Sequence, residues 1–189
     1  MDNFRGAGLM TLAMLSFAIE DMLIKFLAGA LPVGQIIALL GAGGGSLAHV
    51  DAMRQIRVGP ESAGSEPGPA CYGRGGERPA VTDADLVLGR LDASGFAGGT
   101  MTLDTGASVA ALETALGGPL DMDARTAAFG LAEVVDENMA NAARVHAVEN
   151  GEDLGEYTMI AFGGAAPLHA GRLCEKLGIE RLLVPPGAG

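Results

Sequence analysis

The chain has 189 residues, which is enough for one or two domains with a sizeable core. Aromatic residues make up only 4% of it and Trp is absent, so the core must rest on Leu, Val, Ala, Met and Ile. The net charge of −11 argues against nucleic acid and anionic lipid as main partners, because both are bound by clusters of Lys and Arg.

The cysteine and histidine content argues against a disulfide framework and against a metal site. Cys71 and Cys174 are far apart in the sequence and form no C-x-x-C motif, so we expect two thiols in a reducing, cytoplasmic compartment. Three histidines, His49, His146 and His169, are too few for a self-contained His-rich metal site.

Residues 1–40 differ from the rest in being largely apolar, and they predict one or two hydrophobic helices. Residues 6–19 are uncharged, and the next apolar run begins only after Glu20, Asp21 and Lys25. A bilayer span needs about 20 apolar residues, and carboxylates within it are costly. An amphipathic or buried helix of a soluble protein is therefore an alternative to a membrane helix.

The segment RGAGLMTLAMLSFAIEDMLIKFLAGALPVGQI resembles the start of the drug/metabolite transporter (EamA-like) family. This resemblance implies membrane contact through residues 6–40 and a membrane-associated protein. It leaves residues 41–189 as a separate domain.

From residue 41 onward the pattern is that of a soluble domain. Residues 59–79 predict a long loop rich in Gly, Pro and Ser. Short helices are predicted over 80–91, capped by Thr82 or Asp83, and over 107–118, where Gly117 and Gly118 end the second one.

A long helix is predicted from a cap at Asp121 or Asp123 to about Glu149, with Gly151 as its stop. Its apolar side is predicted to contain Phe129, Leu131, Val134, Val135, Met139, Ala142, Val145 and Val148.

The last thirty residues predict a strand, a glycine turn, a helix and a second strand. The strand YTMIAF (157–162) is followed by GGAAP, the helix LHAGRLCEKLG (168–178) and the strand IERLLVPP (179–186). Pro167 suits the first turn of a helix, and Gly178 suits its C-terminal end. A β-α-β unit implies parallel strands and an α/β fold class.

The turn between strand and helix is a candidate ligand loop. Gly163, Gly164 and Ala165 lack bulky side chains, so a ligand can approach the backbone, and amides at a helix N-terminus favour an anion or a polar ligand edge. The segment is neither a P-loop nor a G-x-G-x-x-G motif, and a plain tight turn explains it equally well.

Four stretches together resemble the hydantoinase A/5-oxoprolinase family over about residues 41–189. They are GAGGGSLA, RVGPESAGSEPGPACYGRGGERPAVTDADLVLGRL, ENMANAARVHAVENG and IAFGGAAPLHAGRLCEKLGIERLLVPP, in the family's order and spacing. The resemblance implies an actin-like ATPase domain, present in part, whose relatives couple ATP hydrolysis to opening a cyclic amide such as 5-oxoproline or a hydantoin.

The resemblance also implies roles for two loops. Gly163, Gly164, Ala165 and His169 would lie near the adenosine of ATP, and the loop Gly43, Gly44, Gly45 and Ser46 would face the active site. Where members of the family usually have glycine, this chain has Ala166.

The same resemblance implies ATP and Mg²⁺ as cofactors and a hydantoinase B-like subunit or a further lobe as partner. The two Asp-Gly-Gly-Thr-like phosphate loops of full members have no counterpart in this sequence. We therefore expect a cyclic-amide hydrolase fragment that is inactive alone. The alternative is a membrane-tethered or transporter-derived chimera without activity, in which LLGAGGGSLAHVD (39–51) is the junction.

Single residues leave two interpretations each. His169 either contacts the ligand or the loop, or is a packed histidine that satisfies a backbone carbonyl. Asp83 and Asp85 either orient a polar group or, preferably, cap their own helix. Cys71 lies in a Gly/Pro loop without a recognisable base nearby, so we do not expect a nucleophile.

Overall fold

The structure, a computed structural model, describes residues 43–186. The predicted hydrophobic helices of residues 1–40 lie outside the described residues. The regular elements are β1 (Ser46–Val50), β2 (Ile56–Ser62), α1 (Val81–Val87), α2 (Thr105–Leu112), α3 (Ala124–Asn150), β3 (Thr158–Ile160), α4 (Ala166–Leu177) and β4 (Arg181–Leu183).

The first two strands of the described range form an antiparallel hairpin that the sequence did not predict. β1 pairs with β2, with His49 opposite Arg57 and Val50 opposite Ile56. The Asp51 carboxylate closes the turn by accepting the backbone N–H groups of Met53 and Gln55 at 2.8 and 3.0 Å. Strand β2 therefore occupies the first residues of the predicted loop 59–79, and the long-loop prediction is wrong there.

Helix α1 forms where it was predicted, but its N-cap is Ala80 rather than Thr82 or Asp83. Asp83 stands in the third helical position and accepts the N–H of Ala80 at 2.8 Å. The carboxylate of Asp83 thus accepts a hydrogen bond from the N-cap residue, although Asp83 itself lies in the first turn and not at the cap position.

The second predicted helix is longer than expected, because its two glycines do not end it. After α2, whose N-cap Asp104 accepts the N–H of Ala107 at 3.0 Å, a π-helical turn spans Glu113–Gly117 and a short turn spans Gly118–Leu120. A Cβ on Gly117 would lie 2.7 Å from the carbonyl oxygen of Met122, so glycine serves close packing there.

Helix α3 confirms the predicted long helix. Its N-cap is Asp123, which accepts the N–H of Thr126 at 2.6 Å, and Gly151 ends it in the left-handed conformation. The predicted apolar side holds only in part, because Phe129, Val145 and Val148 are exposed.

The β3–α4–β4 unit confirms the predicted parallel pair, with strands shorter than expected. Met159 of β3 lies opposite Leu182 of β4. Gly178 ends α4 with a φ of 70°, as predicted for its C-terminal cap. The α/β class is confirmed at this level.

Three hydrophobic clusters form the core of the described residues, and α3 links the first two, since its 27 residues span roughly 40 Å at 1.5 Å per residue. The first cluster joins the hairpin, α1, α2 and the N-terminal half of α3. The second joins the C-terminal half of α3 to β3 and α4. The third contains Cys71, Leu86 and Leu103. Across the described range, no helix combines the length and the apolar character that crossing a membrane requires.

Candidate functional site

The loop between β3 and α4 is open on its outer side. Gly163 and Gly164 are exposed, and a Cβ added to either would meet no atom within 4 Å. The φ of Gly163 is 87°, a left-handed conformation that favours glycine. Gly164 needs no such freedom, so its missing side chain leaves open space beside the backbone.

The N-terminus of α4 adds backbone donors to this loop. Ala165 is the N-cap, no side chain accepts a hydrogen bond from the first turn, and Pro167 is the second helical residue. The unbonded amides of a helix N-terminus point away from the helix and carry partial positive charge. The loop can therefore receive the polar edge of a ligand.

The second predicted loop is packed rather than open. The carbonyl oxygen of Gly44 accepts the N–H of Thr82 at 2.9 Å, and that of Gly45 accepts the N–H of Ala63 at 2.8 Å. A side chain on Gly44 would overlap the Thr82 hydroxyl, and one on Gly45 would lie 2.9 Å from Ser62 Oγ. Of the three glycines, only Gly43 faces open space. Ser46 begins β1 and donates its N–H to the carbonyl oxygen of Gly43 at 2.8 Å.

His169 is buried behind the first loop, not exposed within it. Its side chain is 3% exposed, with Nδ1 2.7 Å from Asp136 Oδ1 and Nε2 3.2 Å from Asp85 Oδ2. Burial alone would lower the pKa of His169, but the hydrogen bonds and negative charges of Asp136 and Asp85 raise it to about 9. His169 is thus a packed histidine, but it is hydrogen-bonded to two carboxylates and not to a backbone carbonyl.

Arg90, which lies three residues after the end of α1, completes this cluster. Its Nη1 donates to Asp85 Oδ1 at 3.1 Å and lies 3.3 Å from His169 Nδ1. Arg90, Asp85, His169 and Asp136, here called the buried quartet, bring together α1, α3 and α4. Asp85 therefore does not cap its helix, as was preferred, but reaches a residue 84 positions away.

Asp83 lies in a second, separate polar cluster. It is fully buried and accepts hydrogen bonds from the backbone N–H groups of Ala70 and Cys71 and from Ser108 Oγ, at 3.1, 2.8 and 2.7 Å. Burial, followed by the charge of Asp83, raises the pKa of the Cys71 thiol to about 12. The thiol is therefore protonated at neutral pH and is a poor nucleophile.

Sequence reasoning missed Asp136 and Arg90. A signal was present for Asp136, which lies four residues from Ala132 and from Ala140, both buried, on one helix face. A carboxylate within a buried helical stripe requires a partner. Nothing comparable marks Arg90 in the sequence.

The described residues offer no obvious metal site. In the range 43–186, no group of three or more His, Cys, Asp or Glu side chains is arranged to hold a metal ion. The quartet's carboxylates bind His169 and Arg90 instead. We therefore assign no Mg²⁺ ligand in this part of the chain.

A comparison with known protein families identifies the family of the chain. The sequence profile described as Hydantoinase/oxoprolinase matches residues 35–189, which is most of the chain. The chain belongs to the hydantoinase/oxoprolinase family. The match begins inside the segment assigned to a transporter, so the EamA resemblance and the chimera alternative lack support, and the family sequence extends upstream of residue 41.

The chain is similar to subunits of a caprolactamase and of a carboxylase. The chain is 41% identical over 149 residues to the caprolactamase subunit alpha of Pseudomonas jessenii, covering 79% of this chain and 21% of that protein. It is 41% identical over 150 residues to the acetophenone carboxylase gamma subunit of Aromatoleum aromaticum, covering 79% and 20%.

Two solved structures confirm that the fold is shared. The crystal structure of ATP-dependent caprolactamase from Pseudomonas jessenii matches with a TM-score of 0.73 at 41% identity, over 79% of this chain and 22% of that one. A nucleotide-free acetone carboxylase structure matches with a TM-score of 0.72 at 33% identity, over 79% and 21%. The chain thus spans about a fifth of the length of each of these relatives.

Proposed function

We propose that this chain supplies part of the nucleotide site of a cytoplasmic ATP-dependent enzyme that opens cyclic amides, of the 5-oxoprolinase or hydantoinase type. The observation that carries the proposal is the open Gly163–Ala165 loop at the uncapped N-terminus of α4, in a chain that belongs to this family. A caprolactamase among the relatives supports a cyclic amide as substrate class.

The residues of the loop suit the adenosine end of ATP. Open space beside Gly163 and Gly164 admits a flat base or a ribose against the backbone. The N–H of Ala166 can donate a hydrogen bond to the polar edge of that group, whereas Pro167 has no N–H and the N–H of Leu168 donates to the carbonyl oxygen of Ala165. Bound ATP supplies the activated phosphoryl group of the reaction. We assign no phosphate or Mg²⁺ contact to the described residues.

We further propose that Gly43–Ser46 borders the amide side of the same site. Gly43 faces open space, and its neighbours are anchored to Thr82 and Ala63. A fixed loop with one exposed glycine can border a substrate without moving. The enzyme then requires a further subunit or lobe, since the relatives include named subunits of larger enzymes.

The test measures ATP binding to the 189-residue chain by isothermal titration calorimetry, with and without Mg²⁺. We expect saturable binding, and at least tenfold weaker binding by Gly164→Leu, because its side chain fills the open space beside the loop. The matched control is Gly171→Leu, which adds the same side chain at an exposed glycine inside α4, away from the loop, and should bind ATP as the parent does.

The outcomes separate the parts of the proposal. A folded chain that gives no heat with ATP, or a Gly164→Leu variant that binds normally, overturns the assignment of the loop. Phosphate release from ATP is measured in parallel with and without 5-oxoproline. We expect none from the chain alone, and release dependent on 5-oxoproline would overturn the need for a further subunit or lobe.

A further inference from the structure

The buried quartet has a feature that the proposed nucleotide site does not use. His169 stands four residues after the N-cap Ala165, at the start of α4, and its imidazole is enclosed between Asp85 of α1 and Asp136 of α3. The helix that begins at the candidate loop is therefore held at that end by two other helices through one side chain.

The two carboxylate contacts favour the imidazolium form of His169. Both ring nitrogens face a carboxylate oxygen, at 2.7 Å for Nδ1 and 3.2 Å for Nε2. A neutral imidazole donates from only one nitrogen, so its other lone pair would face an anion, whereas the imidazolium donates from both. With His169 charged, two cations and two anions balance within the quartet.

Within residues 43–186, the charged side chains in hydrogen-bonding contact with His169 are the other members of the quartet. Asp85 faces it from α1, Arg90 from the segment after α1 and Asp136 from α3. The outer network of α3 and α4, in which Arg172 and Lys176 bind Glu133 and Lys176 also binds Glu137, joins the same helices at the surface.

The carboxylate of Asp136 has fewer other partners than that of Asp85, so its charge is compensated mainly by His169. Asp136 Oδ2 is buried and has no hydrogen-bond partner among the described residues, and Asp136 Oδ1 meets His169. Asp85 keeps Arg90 if the imidazole loses its charge. Removing the proton from His169 therefore leaves an uncompensated buried anion on α3, facing the first turns of α4.

Helix α1 connects this anchor to the other candidate loop. The N–H of Thr82 donates to the carbonyl oxygen of Gly44 at 2.9 Å, and Asp85 follows three residues later on the same helix. A single short helix thus contacts the Gly43–Ser46 loop at its start and His169 one turn further on.

We propose that His169 is a positioning residue: it holds the Gly163–Ala165 loop in its ligand-accepting geometry by tying the start of α4 to α1 and α3, and it does not contact the nucleotide. The proposal rests on the proposed function for its ligand, ATP. The loop geometry follows the charge of His169, so ATP affinity falls when the imidazolium releases its proton to solvent.

The first test uses the unmodified chain and needs no variant to fold. The His169 ring and the backbone amides of Gly163 and Gly164 are followed by nuclear magnetic resonance from pH 7 to 10. We expect the ring to titrate near pH 9, with both amides shifting at the same midpoint. A ring that titrates while the loop amides stay fixed overturns the proposal.

The second test compares ATP affinity across the same pH range in the parent chain, His169→Gln, Asp136→Asn and the control His146→Gln, whose histidine is exposed on α3. We expect the parent and the control to lose at least tenfold in affinity towards pH 10. His169→Gln and Asp136→Asn should both bind more weakly at pH 7 and lack the step.

The outcomes distinguish this inference from the proposed function. Weak binding by His169→Gln together with normal binding by a folded Asp136→Asn would mean that the imidazole contacts ATP directly, which overturns the positioning role. No binding by the parent chain overturns the proposed function, whereas the coupling between the His169 ring and the loop amides is still decided by the resonance experiment.

Discussion

At the scale of single residues, two buried aspartates organise the described structure in different ways. Asp83 collects three backbone N–H groups and one hydroxyl, and so joins the segment at Ala70 and Cys71 to the start of α1 and to α2. Asp136 meets one imidazole and leaves an oxygen unpaired. The first aspartate is satisfied by neutral donors, and the second requires a cation.

Replacement of Asp83 tests the first of these roles. Asp83→Asn presents an NH₂ group where an oxygen now accepts, so at least one buried donor loses its partner. We expect a loss of about 2–4 kcal/mol in the free energy of unfolding, measured by urea denaturation. The control Asp153→Asn alters an exposed aspartate that accepts one N–H, from Gly155, and should change stability by less than about 0.5 kcal/mol. Equal effects of the two changes would contradict the network.

The charge of His169 makes the stability of the fold depend on pH. Its pKa is raised in the folded state from 6.5 to about 9, so its contribution is complete below about pH 6.5 and is lost as the pH rises through 9. We expect the unfolding free energy to fall by on the order of 3 kcal/mol over that interval. Urea denaturation at fixed pH values measures it.

His169→Gln should remove most of this dependence, whereas His146→Gln should keep it, since His146 is exposed. A parent chain whose stability does not change between pH 6.5 and 9.5 would show that the imidazolium is not stabilised by its two carboxylates.

At the scale of elements, α4 has one glycine in its interior and one at its C-terminal cap, with opposite roles. Gly178 ends the helix with a φ of 70°, and its N–H donates to the carbonyl oxygen of Cys174. Gly171 lies in the exposed interior of the helix with open space around it and no left-handed φ. Glycine is favourable at the first position and costly at the second.

Alanine at these two positions should therefore shift stability in opposite directions. We expect Gly178→Ala to lower the unfolding free energy by about 1 kcal/mol, because an L-residue is strained in the left-handed region. Gly171→Ala should raise it by up to about 1 kcal/mol. The midpoint of urea denaturation reports both, and a shift of the two variants in the same direction would refute the cap assignment.

At the scale of the whole molecule, strand β4 is exposed at all three of its residues. Over residues 43–186, β4 pairs with β3 alone, and Phe162, Leu182, Leu183 and Val184 are each at least 40% exposed. An unpaired strand edge beside exposed apolar side chains favours association with other chains.

We expect the isolated 189-residue chain to associate with itself as its concentration rises. Leu183→Lys should reduce that association, because it places a charge on the open strand. Light scattering across a concentration series measures it. The control Val148→Lys removes an apolar side chain that is 79% exposed on α3 and should have the smaller effect. A chain that stays monomeric at every concentration would rule out this role of β4.

Local sequence was sufficient for several elements in the second half of the chain. The long helix with a cap at Asp121 or Asp123, the stops at Gly151 and Gly178 and the parallel strands around GGAAP were all predicted, and Asp123 is the cap. These features depend on interactions within about one helical turn, or on the residue types that a tight turn requires. The four quoted stretches also predicted the family, which the profile match over residues 35–189 confirms.

Only the tertiary structure decided what the polar residues do. His169 finds Asp136 and Asp85 at separations of 33 and 84 positions, and Asp83 finds Ser108 at 25. Helical periodicity indicates that such side chains face inward, but the choice of partner depends on how α1, α3 and α4 pack together. The sequence by itself therefore determined several elements of the second half and the family, whereas the buried charge pairing behind the Gly163–Ala165 loop exists only once three helices meet.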